Sequence, residues 1–317
     1  MSKRVFAGVV LGAGGMFAGA AAAQGPLTVS WNDNPTVWGV LYDDEDALLV
    51  DAASQTVTVV YTTPSGDLDA FAYLSDGRYA VSTNFNLNVP GVGSFNDGDV
   101  VAYDPATGAY EAILLESRWS PAADVCAVAE TAAGTLLLSV REPAPRTFTF
   151  TGGSVAIGEG DILEWDPATD TASVYLTAGE IVDLTFDNGS AEISGLEVLG
   201  DGRLLLTFVG DERIGETVYV SGQIVLFDPA DGSATLYADF RDATDVLFEE
   251  LDALAVPPDE AGCAADMDGD GQATVNDLLA FLGAFRNQGE GSDFDGNGSV
   301  DVNDLLGFLG AFRAGCA

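Results

Sequence analysis

A chain of 317 residues, 47% hydrophobic and 9% aromatic, has the composition of a folded protein with room for two domains, which excludes a disordered chain. Its 50 acidic residues face only 11 basic ones, and the net charge of −39 repels nucleic acid and anionic lipid. Histidine is absent, which excludes Ser-His-Asp and Cys-His catalysis and His-ligated zinc but leaves carboxylate-only chemistry open.

Residues 1–23 read as a secretory signal peptide. Lys3 and Arg4 form a short basic start, residues 5–22 are apolar and rich in Gly and Ala, and Ala21-Ala22-Ala23 ahead of Gln24 fits a small-residue cleavage site. No later segment approaches the roughly 20 apolar residues of a membrane span. The mature chain is therefore expected to be extracellular, with no membrane span, and attached to a cell surface only through a partner. Lys3 is the only lysine, so the mature chain keeps its arginines as its only basic side chains.

Residues 27–257 read as a mainly β domain, with short alternating runs broken by Gly, Asp, Asn and Pro. One element recurs: DVVAYDPATG at 99–108, DILEWDPATD at 161–170 and QIVLFDPADG at 223–232, spaced by 62 residues each time. A degraded copy lies at 46–51. Asp followed by Pro favours a type I turn between two strands, so Asp104, Asp166 and Asp228 are read as turn formers rather than as ligands or catalysts. A further strand pair precedes each full copy, at 69–74 with 78–83, 125–129 with 136–140, and 196–199 with 203–208. Asp76-Gly77 and Asp201-Gly202 are expected to turn two of these pairs with positive φ at both residues.

Four strands per unit is the pattern of a propeller blade. The upstream copy lacks its leading strand, and a spare one, at 251–256, echoes residues 68–72. Pairing that strand back into the first unit would complete a fourth blade and remove the open edges. The expected fold is a four-bladed propeller-like domain; the alternative is a β-sandwich built from the same hairpins. Insertions at 84–97, 142–160 and 210–222 vary between units and fall on one rim, where Arg118, Trp119, Arg141 and Arg146 are candidate binding residues.

Residues 258–262 form a Pro/Asp/Gly linker, and residues 263–317 hold a tandem repeat offset by 27 residues. Calcium takes six to eight oxygens, and a 12-residue loop supplies them from positions 1, 3, 5, 7, 9 and 12, with Gly at position 6. In the first copy these positions are Asp266, Asp268, Asp270, Gln272 through its backbone carbonyl, Thr274 and Asp277, around Gly271. In the second they are Asp293, Asp295, Asn297, Ser299 through its carbonyl, Asp301 and Asp304, around Gly298. Two Ca2+ ions are expected. Each loop leads into an apolar run, LLAFLGAFR at 278–286 and LLGFLGAFR at 305–313, identical but for one residue. Leu278, Phe281, Leu282 and Phe285 share one helical face, as do Leu305, Phe308, Leu309 and Phe312, and the two faces are expected to pack together.

An exported chain with three cysteines is read as carrying one disulfide and one free thiol. Cys263 and Cys316 bracket the C-terminal module and are paired, and Cys126, in an apolar strand, is read as a buried and inert thiol.

The segments ahead of the loops, 261–265 and 287–292, are too short and Gly-rich for the entering helix of an EF-hand, and both twelfth positions are Asp where EF-hands usually have Glu. Loop plus exiting helix, twice over, resembles the dockerin family across residues 263–317, and the Gly-Cys pairs at both ends resemble its GC-type variant. The resemblance implies calcium-dependent docking to a cohesin-like scaffold domain, with Val275, Asn276, Val302 and Asn303 at the recognition positions. Dockerins that bind well-studied cohesins often carry a mid-helix Lys-Arg pair. Here residues 282–284 and 309–311 read Leu-Gly-Ala, which leaves the partner's identity open. The resulting expectation is a secreted, dockerin-anchored, non-catalytic protein whose β domain binds a glycan or protein, or simply displays a surface. The alternatives are a carbohydrate-active enzyme of a polysaccharide-degrading assembly and a purely structural surface protein.

Overall fold

The computed structural model describes residues 26–31, 35–38, 40–51, 56–142, 144–186, 191–241, 251–257, 265, 267, 274–287, 292, 294, 300 and 302–314. The expected signal peptide and the linker at 258–262 lie outside them. The described chain is mainly β and propeller-like, with two small C-terminal helices.

Four antiparallel sheets of four strands carry the β domain. The second sheet takes its strands in chain order: Leu68–Tyr73, Tyr79–Thr83, Val100–Asp104 and Ala109–Leu114. The third follows the same order with Val125–Glu130, Leu136–Val140, Ile162–Asp166 and Thr171–Leu176, and the fourth with Ile193–Val198, Leu204–Phe208, Gln223–Asp228 and Ser233–Asp239. The first sheet differs. Its strands Leu27–Trp31, Asp46–Asp51 and Thr56–Thr62 are joined by Leu251–Ala255 from the far end of the domain. That strand pairs Ala255 with Thr28, Leu254 with Val29 and Ala253 with Ser30, as the echo of residues 68–72 predicts.

The leading strand of each sheet packs on those of its two neighbours, so the four strands form a cycle. Between each pair of consecutive sheets lies its own apolar core. One of these joins the last sheet to the first, through Leu205 and Ile224 against Leu27, Val29 and Leu48. This burial on both faces explains the leading strands' nearly continuous apolar runs, while the outermost strands alternate between exposed and covered residues. All four sheets place a small hairpin between their second and third strands, among them Leu87–Val89 with Gly93–Phe95 and Glu212–Ile214 with Thr217–Tyr219. The insertions therefore share one end of the strands.

The repeated Asp residues are turn formers. Asp104 Oδ1 accepts the Ala106 N–H at 2.8 Å and Oδ2 accepts the Thr107 hydroxyl at 2.6 Å. Asp166 repeats this with Ala168 and Thr169 at 2.8 and 2.6 Å. These bonds, the Thr hydroxyl first, hold both carboxyls below the usual Asp range. Where the other copies close the turn with Gly108 and Gly232, the second has Asp170 at φ +49°. Its carboxylate accepts from Trp165 Nε1, Arg118 and Thr151, and so ties the neighbouring insertion to the sheet.

The Asp-Gly hairpins differ from expectation. Only Gly77 and Gly202 have positive φ. Leu74 N–H bonds to Arg78 O and Gly77 N–H to Leu74 O, so the loop holds three residues: a type I turn closed by a left-handed Gly. Asp76 and Asp201 serve it with their side chains, each accepting the following Arg N–H at 3.1 Å.

Two residues of the fourth sheet's leading strand meet the closing strand. A Cβ on Gly195 would lie 2.5 Å from Thr207 Oγ1 and 2.8 Å from Leu254 Cβ, so only Gly allows the two strands to approach this closely. Two residues on, Glu197 is buried and accepts the Val256 N–H at 3.0 Å and the Val198 N–H at 2.8 Å. Burial pushes its carboxyl from 4.5 up to about 7, against the pull of those two N–H groups. A raised folded-state value means that this contribution to stability is present in full below 4.5 and is lost as pH rises to about 7. Glu197→Ala would leave the Val256 N–H buried without its acceptor. It is expected to lower stability by about 1–3 kcal/mol at mildly acid pH, read as a shift in the urea midpoint.

Candidate functional site

The loop–helix pair is built around stacked phenylalanines. The helices are Val275–Asn287 and Val302–Ala314. Phe281 and Phe308, at equivalent positions, are fully buried with parallel rings 4.0 Å apart. Phe294 meets both edge-on at 5.9 and 5.6 Å, and Phe285 and Phe312 flank the stack at 5.7 and 5.9 Å. Between residues 278–286 and 305–313 the one difference, Ala280 against Gly307, falls beside this packing. A Cβ on Gly307 would lie 3.0 Å from Phe294 Cδ1.

Position 12 of each loop is a buried carboxylate. Asp277 Oδ1 accepts the Met267 N–H at 2.8 Å, and its Oδ2 accepts Thr274 N–H at 2.7 Å and the Thr274 hydroxyl at 3.0 Å. Thr274 Oγ1 in turn accepts the Asn276 N–H at 3.2 Å, so the residues at positions 9 and 12 also cap the helix. Asp304 Oδ1 accepts the Phe294 N–H at 2.7 Å, the equivalent of the Met267 bond. The hard-oxygen donor set suits calcium rather than a softer metal. Of the expected ligands, Thr274, Asp277 and Asp304 are described. Asp266, Asp268, Asp270, Gln272, Asp293, Asp295, Asn297, Ser299 and Asp301 lie outside the described residues, as do Cys263 and Cys316.

The expected helix faces need one correction. Leu278, Phe281 and Phe285, with Leu305, Phe308 and Phe312, pack together as predicted. Leu282 and Leu309 do not: each is 40% exposed, because the phenylalanine stack and Ala311 already fill the space between the helices. They lie instead on a second stripe, with Val275 at 63%, Leu279 at 63%, Val302 at 60% and Leu306 at 62% exposure. The spacing i, i+4, i+7 puts Val275, Leu279 and Leu282 on one face, and Val302, Leu306 and Leu309 repeat it. Asn276 is exposed beside Val275, and Asn303 occupies the matching helical position.

The rim candidates have structural duties. Trp119 is buried against Phe148, with ring centroids 4.8 Å apart. Arg118 lies 5.2 Å over Trp165 and bonds Asp170 at 2.5 Å. Arg146 donates to the carbonyls of Ala122 and Ala144 at 2.9 and 3.1 Å. Arg141 stands among carboxylates where the leading strands meet, a grouping that the sequence pattern did not single out. Cys126 is buried, and its Sγ donates to Ile193 O at 3.2 Å. Burial pushes the thiol up, which makes it inert as expected. A depression of about 510 Å3 lies at the opposite end of the strands, lined by the turn residues 201–203 and 228–230. Among the described residues, no helix is long and apolar enough to cross a membrane.

No protein-family model matches the chain, and no curated protein matches it. Solved structures similar in outline include a virginiamycin B lyase from Staphylococcus aureus, 9% identical over 68% of this chain and 70% of that one, with a TM-score of 0.32. An auxiliary nutrient binding protein from Bacteroides thetaiotaomicron is 12% identical over 66% of this chain and 40% of that one, with a TM-score of 0.34. A nidogen/laminin complex contains a chain 7% identical over 73% of this chain and 97% of its own, again with a TM-score of 0.34. No chemistry carries across at these identities.

Asp277→Ala would leave the Met267 and Thr274 N–H groups without their acceptor. It is expected to cost about 1–3 kcal/mol and to weaken the helical circular dichroism signal of the first helix before any metal is added.

Proposed function

We propose that this is an exported, calcium-loaded docking protein. Residues 263–317 act as a dockerin-like plug for a cohesin-like domain, and a four-bladed propeller-like domain is the cargo it displays. The observation that carries this reading is the doubled apolar stripe. Val275, Leu279 and Leu282, and their counterparts Val302, Leu306 and Leu309, stand exposed on a module otherwise crowded with acidic residues. An exposed apolar patch of this kind marks an interaction surface. Its start coincides with the recognition positions Val275-Asn276 and Val302-Asn303.

Two Ca2+ ions would be held by Asp266, Asp268, Asp270, Gln272, Thr274 and Asp277, and by Asp293, Asp295, Asn297, Ser299, Asp301 and Asp304. They would neutralise carboxylates that otherwise repel one another and would supply folding free energy to a module with a small core. A Cys263–Cys316 disulfide would close about 54 residues, worth roughly 4 kcal/mol in the loop-entropy model. The β domain contributes a binding or display surface, for which a glycan is the ligand class to try first.

Calorimetric titration of the full chain with calcium tests the first half of the proposal. Two sites are expected, one of them lost in Asp266→Ala and the other in Asp293→Ala. Heats no larger than those of dilution would end the reading. For the second half, the Leu279→Asp, Leu306→Asp double variant is expected to keep both calcium sites and to lose retention on immobilised cohesin domains that hold the parent chain. Equal retention of parent and variant would remove the stripe from the interface.

A further inference from the structure

The leading strands of the four sheets share an irregularity. Each carries a bulge at its second residue, where pairing skips one position: Asp69, Cys126, Ser194 and Asp252. A bulge re-aims the side chain it carries. All four residues are buried, at the insertion end of the strands where the sheets converge.

Around them stand more carboxyls than cations. Asp124 and Glu192 immediately precede the leading strands of the third and fourth sheets. A single guanidinium, Arg141, reaches Asp69 Oδ1 at 3.1 Å, Glu192 Oε1 at 2.6 Å and Asp124 Oδ2 at 4.0 Å. Asp252 faces Asp69 from the closing strand, and Asp97 and Glu142 face Asp124 from the insertions. Glu142 accepts the Asp124 N–H at 2.8 Å and lies 3.7 Å from Arg146. Cys126 sits within the same field. One oxygen of each acid in the central pair, Asp69 Oδ2 and Asp124 Oδ1, is buried where no N–H or O–H of the protein reaches it. Three carboxyls, Asp69, Asp124 and Glu192, thus converge on the one guanidinium of Arg141. A proton held by the Asp69–Asp124 pair removes a buried charge that a single cation does not offset.

We propose that Asp69 and Asp124 share one proton in the folded protein at neutral pH, and that this proton, with Arg141, forms a pH-sensitive lock joining the second, third and fourth sheets where they converge. Burial is the largest cause raising both acids above the usual carboxylate range. Asp252 adds to it at Asp69, and Asp69, Asp97 and Glu142 add to it at Asp124, while Arg141 opposes it at both. Folded-state values above the unfolded ones mean that the lock stabilises at acid pH and is lost as pH rises through the raised values. Like charges then face each other across the junction of two sheets. The chain makes this readable. It has no histidine, its Cys126 thiol is pushed well up, and exposed carboxyls have finished ionising by about pH 6. Glu197 titrates nearby, so the test is run in a Glu197→Gln background.

The thermal midpoint of the full chain in constant calcium is measured from about pH 5.5 to 9. In Glu197→Gln the midpoint is expected to fall across this interval. Adding Asp124→Asn, which imitates the protonated acid, is expected to flatten the curve and to raise the midpoint above its parent at the alkaline end. Parallel curves with and without Asp124→Asn would overturn the proposal, because a merely structural role shifts every pH alike. Infrared spectroscopy of the Glu197→Gln chain at neutral pH reads the proton directly, without depending on the second variant. A protonated-carboxyl band that disappears at alkaline pH is expected, and its absence at neutral pH would also overturn the proposal.

Discussion

The pairing of Leu27–Trp31 with Leu251–Ala255 is the constraint on which the β domain rests. Four sheets laid side by side without it would leave the first and last with one bare apolar face each, and the first sheet with an open edge. Pairing the two ends of the domain converts a row of sheets into a cycle. It brings Leu205 and Ile224 against Leu27 and Leu48, and it leaves each leading strand covered on both faces. That burial explains why those strands tolerate so few polar residues, and why Gly195 and Glu197 stand where two of them meet. The cost of forming the contact is paid late, because the partners are more than 200 residues apart and must wait for everything between them.

Much of this arrangement is legible in the residues. The 62-residue spacing of the Asp-Pro turns locates the sheets, and the likeness of 251–256 to 68–72 locates the seam. What escapes is whatever depends on a bulge or on a third body. The leading strand of the fourth sheet begins at Ile193, three residues before the expected Leu196, because Gly195 reads as a strand breaker until Leu254 is seen to lie against it. The Asp-Gly hairpins hide a three-residue loop behind a two-residue signature. Leu282 and Leu309 share a helical face with their neighbours, but the phenylalanine stack fills the interface first. The carboxyl grouping around Arg141 assembles residues from all four sheets. Its only trace in the sequence is an acidic residue immediately before each leading strand: Asp67, Asp124, Glu192 and Glu250.

Aspartate does opposite work in different parts of this chain. At the turns, Asp104 and Asp166 are half-buried, receive hydroxyl and amide hydrogens, and hold their charge below the normal range. Where the strands converge, Asp69 and Asp124 each keep one buried oxygen that no donor reaches, and burial raises both carboxyls above it. At the start of the helices, Asp277 and Asp304 are buried but well supplied with N–H groups. Composition alone reports only a large negative charge. The number of donors that the fold directs at each carboxyl decides whether it shapes a turn, shares a proton or closes a loop.

The seam also sets how the domain would respond to tension. The chain leaves the closing strand at Ala255, which pairs with Thr28, so both ends of the domain emerge at the same end of that strand pair. Pulling the two ends apart would unzip the pair one hydrogen bond at a time. A load entering only from the C-terminal side, against the body of the domain, would instead have to slide the strand lengthwise between two packed neighbours and break its bonds together. A tether at the C-terminal module loads the seam in its strong direction, while a second tether at the other terminus would load it in its weak one.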